Sequence, residues 1–136
     1  MSAEAPTGAV YLDSSAIVKL VIREPETDAL LAFLEPWQTM VTSALARAEV
    51  VRAVRRHGHS ATARAASLLN GLSLLALDDT LLDSAAAIDA NELRSLDAIH
   101  IASAQQLEGK LDALVSYDER MLAAARSLGL PVSQPT

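Results

Sequence analysis

Four carboxylates stand where a carboxylate is either costly or useful. Asp13 follows the apolar run Ala9-Val10-Tyr11-Leu12, and Asp118 comes just after Ala113-Leu114-Val115-Ser116. Each run reads as a short buried strand feeding a helix. An aspartate at such a junction caps the helix and complements its dipole, worth about 1 kcal/mol, so either one alone has a purely structural explanation. Glu49 resists that explanation. Its neighbours one turn away on a helix over 43–57 are Leu45, Ala46 and Ala53. On that small apolar stripe a carboxylate is costly unless it is paired or bound to a cation. A surface pair with Arg52, three residues on, is the structural alternative. Asp97 lies within Leu96-Asp97-Ala98-Ile99-His100-Ile101-Ala102-Ser103-Ala104, a helix apolar almost all round and therefore buried. Ser95 is at hand to cap it, which leaves Asp97 surplus to structure.

Brought together, four such acids would repel and raise one another's pKa. A divalent cation removes the conflict. Carboxylate-only donors suit Mg²⁺ or Mn²⁺, which prefer hard oxygen ligands. Such an ion activates water and stabilises charge growing on a phosphoryl group. The ligand count admits one ion or two.

The elements that must position these residues follow from apolar runs and breakers. Strands are expected over 9–12, 39–42, 72–77 and 113–116, with a last edge strand over 130–132, where Pro131 is tolerated. Helices are expected from 16 to 22, from Pro25 to 35, from a Ser43 cap to Gly58, and over 61–69, 80–91, 95–107 and 118–129. Short apolar strands alternating with helices imply an α/β fold with a parallel sheet covered on both faces. Such sheets bind ligands at the carboxyl ends of their strands. The polar residues there are Asp13, Thr42-Ser43, Asp78-Asp79 and Tyr117-Asp118.

Composition narrows the function classes. The chain has 136 residues, 51% hydrophobic and 3% aromatic, which suits one domain over 9–136 after a loose tail over 1–8. With 11 Lys+Arg against 17 Asp+Glu the net charge is −6, so contact with phosphates must come from a local patch. Arg47, Arg52, Arg55, Arg56 and Arg64, with His57 and His59 among them, surround Glu49 in sequence. They are either a phosphate-binding rim, with Arg47, Arg52, Arg55 and Arg56 its candidates, or the solvated face of a helix that meets water or an acidic partner. No cysteine is present, which excludes disulfides, thiolate zinc sites and cysteine nucleophiles and fits a reducing cytoplasm. No apolar run is long enough to span a bilayer. Asp78 and Asp79 read as helix-capping with Thr80. His100 reads as a packed, hydrogen-bonded histidine, or as one that orients Asp97. Neither G-x-S-x-G nor a phosphate-binding P-loop occurs.

The runs Val10-Tyr11-Leu12-Asp13-Ser14-Ser15-Ala16, Ala48-Glu49-Val50, Leu93-Arg94-Ser95-Leu96-Asp97-Ala98-Ile99-His100-Ile101-Ala102 and Leu114-Val115-Ser116-Tyr117-Asp118-Glu119-Arg120 together resemble PIN-domain ribonucleases of the VapC type, toxins of type II toxin–antitoxin systems. The resemblance implies a three-layer α/β/α PIN-like domain with a central parallel sheet of four to five strands. It implies Mg²⁺- or Mn²⁺-dependent endoribonuclease activity, with Asp13, Glu49, Asp97 and Asp118 as catalytic and metal-binding acids. Ser14 or Ser15 matches the hydroxyl position after the first acid, and Ser116 the one near the fourth. It further implies a homodimer and inhibition by a cognate VapB-type antitoxin, while composition gives the expectation of a cytoplasmic protein without membrane association. Two departures are a longer tail before Val10 and a more acidic balance than an RNA binder needs. A receiver-like phosphoacceptor would also place acids after parallel strands, but it needs a lysine ending a late strand, and Lys19 and Lys110 are elsewhere. A non-catalytic module of the same fold is the third reading, against which the intact acids argue.

Overall fold

The computed structural model describes residues 5–90 and 92–136. Its first strand, β1 (Ala9–Leu12), is buried from end to end, so both faces of the sheet need cover. Side chains alternate along a strand. Val10 and Leu12 enter one apolar cluster and Ala9 and Tyr11 another. The chain continues through α1 (Ser14–Val21), α2 (Thr27–Leu34), β2 (Thr39–Ser43), α3 (Ala46–Val54), a 3-10 turn (Arg55–His57), α4 (His59–Asn70) and β3 (Ser73–Leu75). It ends with α5 (Asp79–Ala86), α6 (Ser95–Gln105), β4 (Leu111–Val115), α7 (Glu119–Ser127) and β5 (Val132–Ser133).

The five strands lie in the order β3-β2-β1-β4-β5, every pair parallel. Residues of α1 to α4 pack with Val10, Leu12, Ala113 and Val115 on one face. Ile101 and Ala104 of α6 and Met121 and Ala125 of α7 pack with Tyr11, Val41 and Leu114 on the other. Leu81 and Ala85 of α5 close against Ala98 and Ala102 of α6, where alanines let two helices approach. The three-layer α/β/α architecture and the parallel sheet are as expected, with five strands. The strand order reverses between β1 and β4, and crevices at the carboxyl side of such a reversal are where open α/β sheets bind ligands.

Several boundaries differ from expectation. Ser43 does not cap α3. It is the last residue of β2, paired with Leu75, and its Oγ accepts from the Leu45 amide at 3.1 Å. The long helix expected to reach Gly58 stops at Val54 and tightens into the 3-10 turn before Gly58, whose φ of 96° suits a glycine. Pro25 lies in the turn before α2 rather than in its first turn, and β3 is shorter than the expected 72–77. The last strand is Val132–Ser133, beyond Pro131. Ser95 is the first residue of α6 and Arg94 holds the cap position, with no side-chain cap bond. The helix expected over 80–91 ends at Ala86, and Asn91 lies outside the described residues. Among the described residues no helix is long and apolar enough to cross a membrane.

Of the expected tail, residues 1–4 lie outside the described residues, and residues 5–7 form no helix or strand. Gly8 sits tightly beside the entry to β4. A Cβ there would stand 2.5 Å from the Lys110 carbonyl oxygen and 2.6 Å from Asp112 Oδ1. The carbonyl is backbone and also accepts from the Ala9 amide at 2.7 Å, so it cannot step aside without disturbing the β1–β4 register. Gly8→Ala is expected to lower stability by roughly 1–3 kcal/mol in a urea melt with an unchanged slope.

Candidate active site

Asp13 closes β1 in extended backbone, φ −79° and ψ 176°, as the cap of α1. Its amide donates to the Val115 carbonyl at 3.2 Å, which ties it to the end of β4. Its Oδ1 accepts from the Ala16 amide at 3.0 Å and the Ser15 hydroxyl at 2.7 Å, and its Oδ2 from the Ser116 hydroxyl at 2.6 Å. The capping role is therefore real, but the carboxylate is also 2% exposed. Burial pushes its pKa up, the Ser116 and Ser15 hydroxyls pull it part of the way back, and the balance stays above the ordinary carboxylate value. The serines also receive. Ser15 Oγ accepts from the Tyr117 amide at 2.9 Å and Ser116 Oγ from the Asp118 amide at 3.0 Å. Ser15 and Ser116 thus join the β1–α1 and β4–α7 junctions into one polar knot.

Glu49 reaches this end of the sheet from the first turn of α3. Its Oε1 accepts from the Ser14 hydroxyl at 2.7 Å and lies 2.7 Å from His100 Nε2. Burial works to raise its pKa, but the hydrogen bonds from His100 and Ser14 outweigh that and leave it below the ordinary value. The alternative pair with Arg52 does not form among the described residues. Arg52 is exposed and Glu49 turns inward.

Asp97 is the third residue of α6, its side chain 17% exposed. It pairs with Arg94, whose Nε lies 3.7 Å from Oδ2 on a side chain 75% exposed, a geometry worth little. Burial pushes the Asp97 pKa up, the charge of Asp118 pushes it further, and Glu49 adds to both against the pull of Arg94 and His100. Asp118 caps α7, with Oδ1 accepting from the Arg120 amide at 2.9 Å and the Met121 amide at 3.2 Å.

Asp97, Asp118 and Glu49 thus share one electrostatic neighbourhood, and Ser116 ties Asp13 to the Asp118 junction at the carboxyl ends of β1 and β4. Among the described residues no three histidine or acidic side chains close into a preformed metal cage. The arrangement is open. Asp13 uses both oxygens, and Glu49 and Asp118 use one each. Glu49 Oε2, Asp118 Oδ2 and the Asp97 carboxylate receive no hydrogen bond from described side chains or amides. That set fits a hard cation that binds one or two carboxylates and keeps several waters, which is the habit of Mg²⁺.

The lesser candidates sort cleanly. Arg47 and Arg52 on α3 and Arg55 and Arg56 in the 3-10 turn are all exposed. Arg64 donates to the Val21 carbonyl at 3.3 Å and so anchors α4 to α1. Asp78 caps α5, accepting from the Leu81 amide at 2.8 Å. His100 is packed and hydrogen-bonded, 2% exposed, but its hydrogen bond goes to Glu49 and not to Asp97. Tyr11, its partner at 2.8 Å through Nδ1, is the residue that sequence reasoning passed over. The signal was a phenol in a wholly buried strand, where its hydroxyl needs a partner.

Known proteins resemble this chain in sequence and in fold. A PIN domain profile matches residues 10–127. Ribonuclease VapC46 of Mycobacterium tuberculosis is 51% identical over 128 residues, 94% of this chain and 98% of that protein. The crystal structure of Mycobacterium tuberculosis VapC20, a sarcin-ricin loop cleaving toxin, matches with a TM-score of 0.74 and 19% identity, covering 93% of this chain and 99% of that one. A toxin–antitoxin complex from Klebsiella pneumoniae matches at 0.69 with 18% identity, covering 93% and 98%. At such identities the two structures attest the fold.

The charge balance at Asp97 predicts a stability effect. Its folded pKa lies above the ordinary 3.8, so the native state holds this proton more tightly than the unfolded chain. The stabilisation is fully present below pH 3.8 and is lost as pH rises through the raised folded value. Asp97→Asn is expected to melt at a higher temperature than the parent in chelator at neutral pH, with the difference shrinking toward pH 4. Thermal melts followed by circular dichroism read this directly.

Proposed function

The chain belongs to the PIN domain family, and from that premise we propose that it is a VapC-type toxin, a divalent-cation-dependent endoribonuclease of a type II toxin–antitoxin pair. One observation carries the reading: Asp97 sits under the repulsion of Asp118 and Glu49, offset in part by a loose, exposed Arg94 and by His100, at the strand-order reversal where such folds bind ligands. The near-full-length likeness to a protein named Ribonuclease VapC46 supports RNA as the substrate.

Asp13, Glu49, Asp97 and Asp118 are the residues that would hold Mg²⁺ or Mn²⁺, which when bound acts as a Lewis acid on the phosphodiester and promotes loss of a proton from water. This chain's own contribution is orientation. Ser15 and Ser116 hold Asp13, and Ser14 holds Glu49. The backbone of α7 holds Asp118, so the negative face is preset before substrate arrives. Arg47, Arg52, Arg55 and Arg56 form the rim that binds RNA phosphates. Residues 9–136 act as one domain, in a cytoplasmic homodimer, held silent by a VapB-type antitoxin. The toxin–antitoxin complex of like fold supports that partner. The receiver-like reading loses ground, because Lys110 precedes β4 and Lys19 is engaged by Glu26 at 2.8 Å and Glu24 at 3.6 Å.

RNA cleavage is expected in Mn²⁺ or Mg²⁺, absent in chelator, and lowered roughly 100-fold or more in Asp97→Asn with an unchanged far-ultraviolet spectrum. Unchanged cleavage by that variant contradicts the site. Arg52→Gln with Arg56→Gln is expected to weaken RNA binding across sequences. The slope of log affinity against log salt should fall by roughly 0.7 for each phosphate that the variant no longer neutralises.

A further inference from the structure

We propose that Tyr11 and His100 are positioning residues that commit one oxygen of Glu49 to the protein, so that Glu49 can offer a cation only its Oε2. The inference rests on the reading of the acidic pocket as a cation site, and it deepens that reading.

A Glu49 carboxylate can only accept hydrogen bonds, so the 2.7 Å contact requires a hydrogen on His100 Nε2. In the neutral tautomer that carries this hydrogen, Nδ1 is an acceptor and the Tyr11 hydroxyl, 2.8 Å away, would donate to it. Ser103 and Thr42 also reach Tyr11, but their hydroxyl hydrogens are spent elsewhere. Ser103 donates to the Ile99 carbonyl at 2.7 Å and Thr42 to the Leu12 carbonyl at 2.6 Å. In that tautomer the hydrogen bonds run one way, from Tyr11 through His100 to Glu49. The rings meet edge to face at 74° with centroids 5.9 Å apart. Tyr11 is wholly buried on the central strand and His100 is 2% exposed, so the donor arrives on a rigid mount.

Oε1 of Glu49 receives two donors, His100 and Ser14, and an sp² oxygen has two lone pairs. Nothing of Oε1 is left for a metal. Glu49 must bind through Oε2 alone, directly or through water, and never as a bidentate ligand. Residues that orient a ligating group in this way are typically worth 10–100-fold in metal affinity.

The experiment is Mn²⁺ calorimetry on the full chain, with His100→Leu, His100→Gln, Tyr11→Phe and the double variant Tyr11→Phe/His100→Leu. His100→Leu is expected to weaken Mn²⁺ binding roughly ten-fold or more. His100→Gln, which can place an N–H near the lost Nε2, should recover most of that. Tyr11→Phe should fall between, and the double variant should bind no worse than His100→Leu alone, because Tyr11 acts only through His100. A purely structural role would move melting temperatures without this ordering. If His100→Leu does not fold, His100→Gln against Tyr11→Phe carries the same comparison. Nitrogen-15 spectra of the metal-free protein give an independent readout: hydrogen on His100 Nε2 supports the proposal and a bare Nε2 overturns it. Wild-type Mn²⁺ binding with the folded variants unchanged overturns this proposal alone. Failure of the wild type to bind Mn²⁺ overturns the cation reading and this proposal with it.

Discussion

Like charge gathered in one place is the constraint on which the rest of this molecule depends. The carboxyl ends of β1 and β4 bring in Asp13 and Asp118, and α3 and α6 add Glu49 and Asp97 from opposite faces of the sheet. Each acid is answered differently. Asp13 has three donors, Glu49 two and Asp118 two backbone amides. Asp97 accepts no hydrogen bond from the described residues and has Arg94 at 3.7 Å, with His100 offsetting part of the repulsion. The repulsion therefore concentrates on the residue least compensated by the chain, which is where an external cation relieves most.

The polar scaffold that holds this charge is made of short side chains tied to backbone ends. Thr42 fastens the end of β2 to the Leu12 carbonyl, while Ser15 and Ser116 knit the ends of β1 and β4. Among the described residues, no buried side-chain nitrogen or oxygen lacks a hydrogen-bond partner, as a low-dielectric network requires. A second tie lies beside it. Lys19 rests 4.7 Å over the Tyr117 ring while bridging to Glu26. The Tyr117 hydroxyl donates to the Pro135 carbonyl at 2.7 Å, and burial holds its pKa up at about 12. Pro135 is thereby fastened to the β4–α7 junction.

The alternation of apolar runs with helical spacing was enough to read the parallel sheet and the acids that follow its strands, because both are local patterns. Caps were read less well. Ser43 and Ser95 have the right side chains, yet Ser43 is held in the β2 ladder by pairing with Leu75, and the extended residue before α6 is Arg94. Residue type marks a helix start only when the backbone is free to turn there. His100 shows a different limit. Three residues from Asp97, it shares that residue's helix face, so local spacing pairs the two. Its partners are Glu49, 51 positions away, and Tyr11, 89 positions away. Pairings of that range follow from how the layers close over the sheet, and no periodicity in a single chain records them.

At the centre of the proposed function stands a cation shared by side chains distant in sequence. The most direct test is an anomalous difference map from crystals grown with Mn²⁺. One or two peaks should lie among Asp13, Glu49, Asp97 and Asp118, in contact with at least one free carboxylate oxygen, and should vanish in Asp97→Asn crystals. Manganese bound elsewhere, or no peak there at saturating concentration, would contradict it.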